Sequence, residues 1–322
     1  MLGLFFYFFY LILKYSGLVD KQQRMDPQLI FNGIAVGSVL ALAAIGLTLT
    51  YGILRLSNFA HGDFMTLGAY LTWLFNTGIS IRMGYRVIDI EGVNIWLAML
   101  LGAGSTVIAM LIAEFLLWKP MRDRRATSTT LIIISIGLAL FIRSAILLIW
   151  GGSNQSYDLP LVQALDIGGM RIAYYRLIVI GLAILAIIAL HFLLQNSKIG
   201  KAMRAVADNI DLARVSGINV ERVVIWTWVI TGILTAVAGG MYGLITTVRP
   251  NMGWFLILPL FASVILGGIG NVYGAIAGAL IIGIAQESSV QFLSPEYKLG
   301  VALLIMAIVL FVRPQGLFKG TA

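Results

Sequence analysis

The chain has 322 residues, of which 60% are hydrophobic and 11% are charged, and its formal net charge is +8. Soluble domains carry roughly a quarter charged residues, so this composition excludes an ordinary soluble protein and indicates a chain embedded in lipid. In a membrane protein the excess of lysine and arginine is explained by loops that face the cytoplasm, rather than by nucleic-acid binding. Cysteine is absent, which excludes disulfides and thiolate metal sites.

The apolar runs predict helices. Only helices and closed barrels span a bilayer, because backbone groups cannot stay unpaired in hydrocarbon. Barrel strands would alternate apolar and polar residues over about ten positions, whereas runs such as 97–117 and 177–190 are longer and unbroken. The predicted fold class is therefore all-α, a polytopic transmembrane helical bundle of about 8–10 spans. The predicted spans are 28–53, 64–80, 94–118, 129–150, 176–195, 223–248, 254–268, 274–292 and 297–312.

An extra apolar segment, residues 1–24, precedes these spans, and Lys14 interrupts it. It is short, and a signal peptide, an extra span, a peripheral helix and an artefact of the chosen start site all fit it. The short connections between the later spans predict that residues 25–322 form a single transmembrane domain, without an appended soluble domain.

The first polar cluster in chain order is Asn58, His61 and Asp63, at the start of a predicted span and beside Gly62. Two interpretations stay open. Asp63 could simply cap the helix, because a carboxylate is favourable at a helix N-terminus. The cluster could instead shape a pathway or gate through the membrane, where polar residues are expensive and usually functional. Arg143 raises the same question further along, because it lies inside an apolar span and must snorkel, pair or face water.

Basic loops give the orientation. Loop 119–128 holds four basic residues against one acidic residue, and loop 196–222 holds five against three. By the positive-inside rule both loops face the cytoplasm, and the tail beginning at Arg313 does so as well. Loop 151–175 has a single basic residue and is predicted to lie outside.

Loop 196–222 is predicted to contain a helix within residues 200–215. A small apolar face recurs at spacings of four, four and three: Ala202, Val206, Ile210 and Ala213. Charged residues occupy another face: Lys201, Arg204, Asp208 and Asp211. Arg204 and Asp208 are spaced as a stabilising ion pair, and Gly217 is suited to a left-handed helix end. Such a helix could lodge in a groove of a partner or lie on the bilayer surface.

Glycines recur around residues 267–283. The spacing of four between Gly270, Gly274 and Gly278 stacks small residues on one helix face and lets backbones approach closely. Ordinary close packing of helices is one interpretation. The other is a broken helix between Gly267 and Gly274, where exposed backbone lines a pathway.

The sequence holds no signature of catalysis. It has no Gly-x-x-x-x-Gly-Lys-Ser/Thr phosphate loop, no nucleophile elbow and no zinc motif. Acidic residues are sparse and scattered, so no carboxylate pair is available for acid–base work. The chain is therefore predicted not to be an enzyme and to need no cofactor or metal.

Four stretches in order resemble the permease subunits of branched-chain amino acid ABC importers. They are Asn58-Phe-Ala-His-Gly-Asp63 with Gly68-Ala-Tyr70, Arg204-Ala-Val-Ala-Asp208 with Ala213 and Gly217-Ile-Asn219, Leu266-Gly-Gly-Ile-Gly-Asn271 with Gly274, and Arg313-Pro-Gln-Gly316. The resemblance covers about residues 26–318. Within the family the chain is most similar to the subunit with the short amino terminus.

The resemblance implies a division of labour among several chains. Two permease subunits, expected here as a heterodimer, form the pore in a bacterial inner membrane. Two cytoplasmic ATPases drive transport, and an extracytoplasmic solute-binding protein delivers the cargo. The residues expected at the pathway or gate are Asn58, His61, Asp63, Gly267, Gly268, Gly270 and Asn271. Those expected to couple to the ATPase are Arg204, Ala205, Asp208, Ala213 and Gly217.

Three alternatives remain at this stage, one of which is a self-contained channel that would not need the loop helix. An importer of this architecture could carry urea or short amides instead of neutral or branched-chain amino acids. An ion-coupled secondary carrier is a different class, and it would need an acidic or histidine relay at mid-membrane. The ionisable candidates here cluster near the predicted span ends, which disfavours that class.

Overall fold

The computed structural model describes residues 26–83, 86–160, 164–167 and 170–318. The predictions for residues 1–24 fall outside these described residues. Helices make up most of the described chain, which confirms the all-α bundle. The helices are α1 (Pro27–Leu54), α2 (His61–Thr77), α3 (Ile95–Ala113), α4 (Lys119–Asp123), α5 (Ser128–Trp150), α6 (Tyr174–Asn196), α7 (Lys198–Asp208), α8 (Ile210–Val215), α9 (Val220–Ile245), α10 (Met252–Gly267), α11 (Val272–Ser289) and α12 (Lys298–Val312).

Each predicted span overlaps one of these helices. Within the described part of the chain, seven helical segments are long and apolar enough to cross a membrane. The two shorter ones are α2, with 17 residues, and α10, with 16. At 1.5 Å per residue they reach about 24–26 Å, less than the roughly 30 Å of a hydrocarbon core. A π-helical turn, Glu114–Trp118, joins α3 to α4 and makes one long span of them.

Two small antiparallel hairpins were not predicted. The first pairs β1 (Gly78–Met83) with β2 (Arg86–Glu91), and the second pairs β3 (Leu165–Ile167) with β4 (Met170–Ile172). Both lie in loops at the same end of the bundle, where Gln155 also pairs with Val248. The charge pattern predicts that this end faces outward.

The basic loops meet at the opposite end. Lys119, at the start of α4, forms an ion pair of 3.2 Å with Glu221 in the first turn of α9. The tail folds against the same end, where the Leu317 and Phe318 amides donate to the carbonyls of Leu266 and Gly267. This arrangement agrees with the prediction that loops 119–128 and 196–222 and the tail share one side of the membrane.

Helices α1 and α9 form the centre of the bundle, and α5, α6 and α12 lie at its periphery. The middle of α1 is buried without a break over residues 39–45. A helix that is apolar all round suits such a position, because no face needs water. The peripheral helices expose most of their apolar surface, as lipid-facing helices do.

Small residues set how closely the central helices approach. A Cβ atom added to Gly283 of α11 would lie 2.5 Å from the Cα atom of Gly37 in α1, and one added to Gly33 would lie 2.5 Å from Ile284 Cα. Backbone therefore meets backbone along the contact between α1 and α11. Close contact of this kind replaces the hydrophobic driving force that is missing between helices in lipid.

This contact predicts opposite effects for two equal substitutions. Gly283→Ala should destabilise the folded bundle by about 1–3 kcal/mol, because the new methyl group overlaps the α1 backbone. Gly104→Ala in α3 should be neutral or stabilising, because nothing lies within 4 Å of that position and alanine favours the helix. Thermal unfolding of both variants in detergent measures the difference. Equal effects on the unfolding temperature would contradict the packing described for α1 and α11.

Candidate functional site

Helix α2 begins deep inside the bundle rather than at its surface. His61, its first residue, is fully buried, and its Nε2 atom lies 2.8 Å from the carbonyl oxygen of Ala43. Ala43 precedes Leu54, the last residue of α1, by about three helical turns. Residues 55–60 therefore run from the end of α1 back to the middle of the bundle without forming a helix.

Polar side chains accept from two backbone amides of this non-helical segment. The Phe59 amide donates to Ser135 Oγ of α5 at 3.1 Å, and the Ala60 amide donates to Asn58 Oδ1 at 3.0 Å. The His61 amide donates to the Asn58 carbonyl at 3.3 Å. Irregular backbone at membrane depth survives only where protein or a water-filled cavity supplies such partners. We name residues 55–60 the re-entrant segment.

Asp63 forms an ion pair with Arg143 instead of capping α2. Both Asp63 carboxylate oxygens accept from the Arg143 guanidinium, at 3.1 Å from Nε and 3.0 Å from Nη2. Ala60 is the N-cap residue and makes no side-chain cap bond. Asp63 therefore makes no N-cap hydrogen bond, but it does lie in the first turn of α2, where a negative charge is favourable. Of the three possibilities for Arg143, the structure shows pairing, because its guanidinium binds Asp63 of α2.

Helix α10 begins beside the same place. A Cβ atom added to Gly62 would lie 2.3 Å from the Gly253 carbonyl oxygen, and the Gly253 amide donates to Thr66 Oγ1 at 2.9 Å. The guanidinium of Arg143 lies 4.8 Å from the ring centre of Trp254, in the first turn of α10. The two short helices thus start next to each other within the bundle, and the Asp63–Arg143 pair lies at that junction.

Two polar atoms near the junction lack a partner among the described residues. They are Asn58 Nδ2 and His61 Nδ1. Since a carbonyl only accepts, the contact to Ala43 places a proton on His61 Nε2 and leaves Nδ1 as the free nitrogen. Thr235 of α9 lies 3.3 Å from Nε2. Buried polar groups without partners are rare and mark places where water or a ligand can supply the missing bond.

The glycine-rich stretch after α10 forms a tight turn at the end of the bundle where the basic loops meet. Gly267 ends α10, Gly268 and Gly270 adopt positive φ angles of 104° and 88°, and Asn271 caps α11 through the Gly274 amide at 3.0 Å. A Cβ atom on Gly267 would lie 2.1 Å from the Gly274 carbonyl carbon. The glycines therefore serve close packing, and the backbone turns sharply between α10 and α11. That this backbone lines a pathway stays a prediction.

The predicted helix of residues 200–215 is two helices in the structure. Asn209 is extended between α7 and α8, and its side chain accepts from the Asp211 and Leu212 amides at 3.0 and 2.9 Å. Asparagine is a strong N-cap because its short side chain reaches these free amides. The predicted pair of Arg204 with Asp208 is wrong, since Arg204 donates to Gln195 Oε1 at 2.6 Å.

The apolar face predicted for this helix is mostly turned inward. Of its four residues, Val206 and Ala213 are buried, Ala202 is half-buried and Ile210 is exposed. The periodicity identified an apolar face but could not say whether the chain itself would cover it. Beyond it lies a cavity of about 790 Å³ between α7–α8 and the ends of α1, α4 and α9.

A different surface of this segment is open. Leu212 is 63% exposed and Val215 is 81% exposed, and the same segment carries exposed charged residues. Four of these exposed charged residues are Arg204, Asp208, Asp211 and Arg214. Gly217 ends α8 with a φ angle of 84°, as predicted, and the Ile218 amide closes the turn on the Ala213 carbonyl. We name Leu212, Val215 and these charges the α8 surface.

A comparison with known families decides the assignment. The model of the family described as the branched-chain amino acid transport system permease component matches residues 29–310. The chain belongs to this family.

Curated relatives agree over nearly the whole length. The high-affinity branched-chain amino acid transport system permease protein LivH of Salmonella typhimurium is 32% identical over 302 residues, 90% of this chain and 94% of the relative. LivH of Escherichia coli K12 is 32% identical over 300 residues, and BraD of Pseudomonas aeruginosa is 29% identical over 296, with the same coverage. No solved structure matches the chain significantly.

Membership in this permease family and the spanning helices make the chain a multi-pass, pore-forming transport subunit. Sequence reasoning found Asn58, His61 and Asp63 but missed Ser135 and Thr235, which contact the same junction. Isolated hydroxyl residues are common in membrane spans, because they can bond to the carbonyl of their own helix. The sequence therefore offered no signal that set these two apart.

Proposed function

We propose that this chain is a permease subunit of an ATP-binding-cassette importer that takes up branched-chain or other neutral amino acids. The observation that carries the proposal is the polar junction at mid-bundle, in a chain whose family match covers it entirely. The cargo is taken from the names of the relatives, LivH and BraD. A bacterial inner membrane is the location that goes with this assignment.

In this proposal the pathway runs past the junction where α2 and α10 begin. Asn58, His61 and Asp63 would shape it at mid-membrane, where unpaired polar atoms and a re-entrant segment are expected of a transport route. Gly267, Gly268, Gly270 and Asn271 would form its cytoplasmic exit, because they end the same helix α10 that begins at the junction. A movement of α10 would then act on both places.

The partners in this proposal are a second permease subunit, two cytoplasmic ATPases and an extracytoplasmic binding protein. The sequence has no phosphate-binding loop, so ATP hydrolysis would take place on the ATPase chains. The permease would contribute the path, and the binding protein would deliver the cargo to the end that carries the two hairpins.

The segment from Lys198 to Val215 would receive the movement of the ATPase. The exposed α8 surface is the part available to the partner, and Arg204 and Asp208 lie on its α7 side. Ala205 and Ala213 would act from behind, as small residues that let α7 and α8 pack against the bundle. Gly217 would fix the direction in which the chain leaves α8. A side chain at its positive φ angle costs roughly 1 kcal/mol.

Transport in proteoliposomes tests the proposal as a whole. Leucine uptake should require this chain, a second permease subunit, the ATPase, ATP and the loaded binding protein. Omission of any one should reduce uptake to the rate of empty liposomes. ATP-independent uptake driven by an imposed proton or sodium gradient would contradict the importer and favour a secondary carrier. ATP-driven uptake of urea or an amide without leucine would keep the importer and correct its cargo.

Cross-linking tests the contact with the ATPase, and the natural chain has no cysteine to remove. Leu212→Cys and Val215→Cys should cross-link to a cysteine in the ATPase, because both positions are exposed. Ala213→Cys, between them in sequence but only 4% exposed, should react far less. Ser153→Cys at the other end should not react with the ATPase. Cross-linking at Ala213 or Ser153 with equal yield would contradict the proposed contact.

A further inference from the structure

The ion pair of Asp63 with Arg143 is costly for a membrane protein. Asp63 is 2% exposed and Arg143 is 16% exposed at the side chain, and both lie within transmembrane helices. Moving two charges out of water is expensive, and their attraction often fails to recover that cost. Apolar residues of similar volume could hold α5 against α2 without it. Ionisable residues inside a membrane usually serve a substrate or an ion pathway.

The surroundings leave Arg143 open to a ligand on one side. One edge of its guanidinium binds Asp63, and its central carbon lies over the Trp254 ring, 4.8 Å from the ring centre. Trp254 is 49% exposed, so this side of the cluster is not closed by the rest of the chain. Trp254 also lies in the first turn of α10, whose N-terminus favours a negative group at that point. An anion approaching Arg143 here would meet both a guanidinium and a helix N-terminus.

We propose that Asp63 and Arg143 recognise the two charges of a zwitterionic amino acid during its passage. Arg143 binds the carboxylate of the cargo, and Asp63 binds its ammonium group. The inference rests on the importer function proposed above and adds the residues that bind the ammonium and carboxylate groups of the cargo. No covalent step is involved, since one ion pair is exchanged for two.

The physical reason is a balance of charges. When the Asp63–Arg143 pair opens, each partner is left buried and unpaired, which is strongly unfavourable. An amino acid zwitterion carries an ammonium group and a carboxylate group on the same α-carbon and can satisfy both partners at once. Urea or a simple amide carries neither charge and cannot. A guanidinium binds a carboxylate in the same two-pronged geometry in which Arg143 now binds Asp63.

The competing explanation is that the pair only anchors α5, a peripheral helix whose main neighbour is α2. An anchor needs two opposite charges but not a particular order. Recognition of a zwitterion needs Arg143 beside α10 and Asp63 in α2, because the side chain of the cargo must point in a fixed direction. Exchanging the two residues therefore separates the explanations.

The experiment uses the complete importer in liposomes, with leucine and its binding protein. Asp63→Asn and Arg143→Gln should each lower the number of leucine molecules imported per ATP hydrolysed by at least about tenfold. The ATPase activity of each assembled complex should stay near wild type, although the yield falls because one buried charge is left unpaired. Arg143→Lys should keep more coupling than Arg143→Gln, because it retains the charge. The double variant Asp63→Arg with Arg143→Asp should restore yield but not coupling.

Glu287→Gln is the matched control, because it removes another ion pair, 2.5 Å from Lys298, far along the chain at the outer end of α11. It should leave coupling unchanged. Recovery of coupling to within about twofold of wild type in the exchanged variant would overturn the inference in favour of an anchor. Loss of ATPase activity in proportion to uptake in the single variants would overturn it too. If wild type imports no leucine at all, the proposed function fails and not merely this assignment.

Discussion

Hydrocarbon supplies no hydrogen bonds, and this constraint governs how the interior of the bundle is built. The re-entrant segment breaks the helical backbone at membrane depth, so each exposed amide needs a partner from elsewhere. Ser135 of α5 supplies this partner to the Phe59 amide, and Asn58 supplies it to the Ala60 amide. The break is thus not a defect in α1 and α2 but a place that the neighbouring helices were arranged to support.

The shortening of α2 and α10 follows from the same break. Both helices start inside the bundle, and glycine allows their first turns to touch, with Gly62 against Gly253. Their N-termini concentrate positive potential where Asp63 and Arg143 lie. From this junction α10 extends to the glycine turn at the end where the basic loops meet. Helix α9 connects the junction to the segment that includes α7 and α8. The interior and the α8 surface are therefore joined by continuous helices.

The sequence predicted the helices well because the length and apolar content of membrane spans can be recognised directly in a sequence. It also identified Asn58, His61 and Asp63 as unusual, because polar residues are rare in such a chain. Their depth could not be predicted: the pattern places them at the start of a span, which normally means the membrane surface. Only the contact of His61 with Ala43 reveals that this helix starts in the middle.

The segment after α6 shows a second limit of sequence reasoning. Periodicity gave an amphipathic helix, but Asn209 could be read equally as a helical residue or as a new N-cap. Which apolar face would stay free depended on long-range packing, which buries Val206 and Ala213 and leaves Leu212 and Val215 outside. Arg143 and Asp63 were each recognisable as unusual charges, whereas their pairing across 80 positions was not.

The central claim is that the re-entrant segment borders a water-accessible path, and cysteine accessibility tests it most directly. Phe59→Cys, within the segment, should react with a small water-soluble thiol reagent in assembled importers, and ATP with loaded binding protein should change its rate. Leu148→Cys, 88% exposed on α5, should face lipid and stay unreactive. A Phe59→Cys variant as unreactive as Leu148→Cys in every state of the transport cycle would contradict the account.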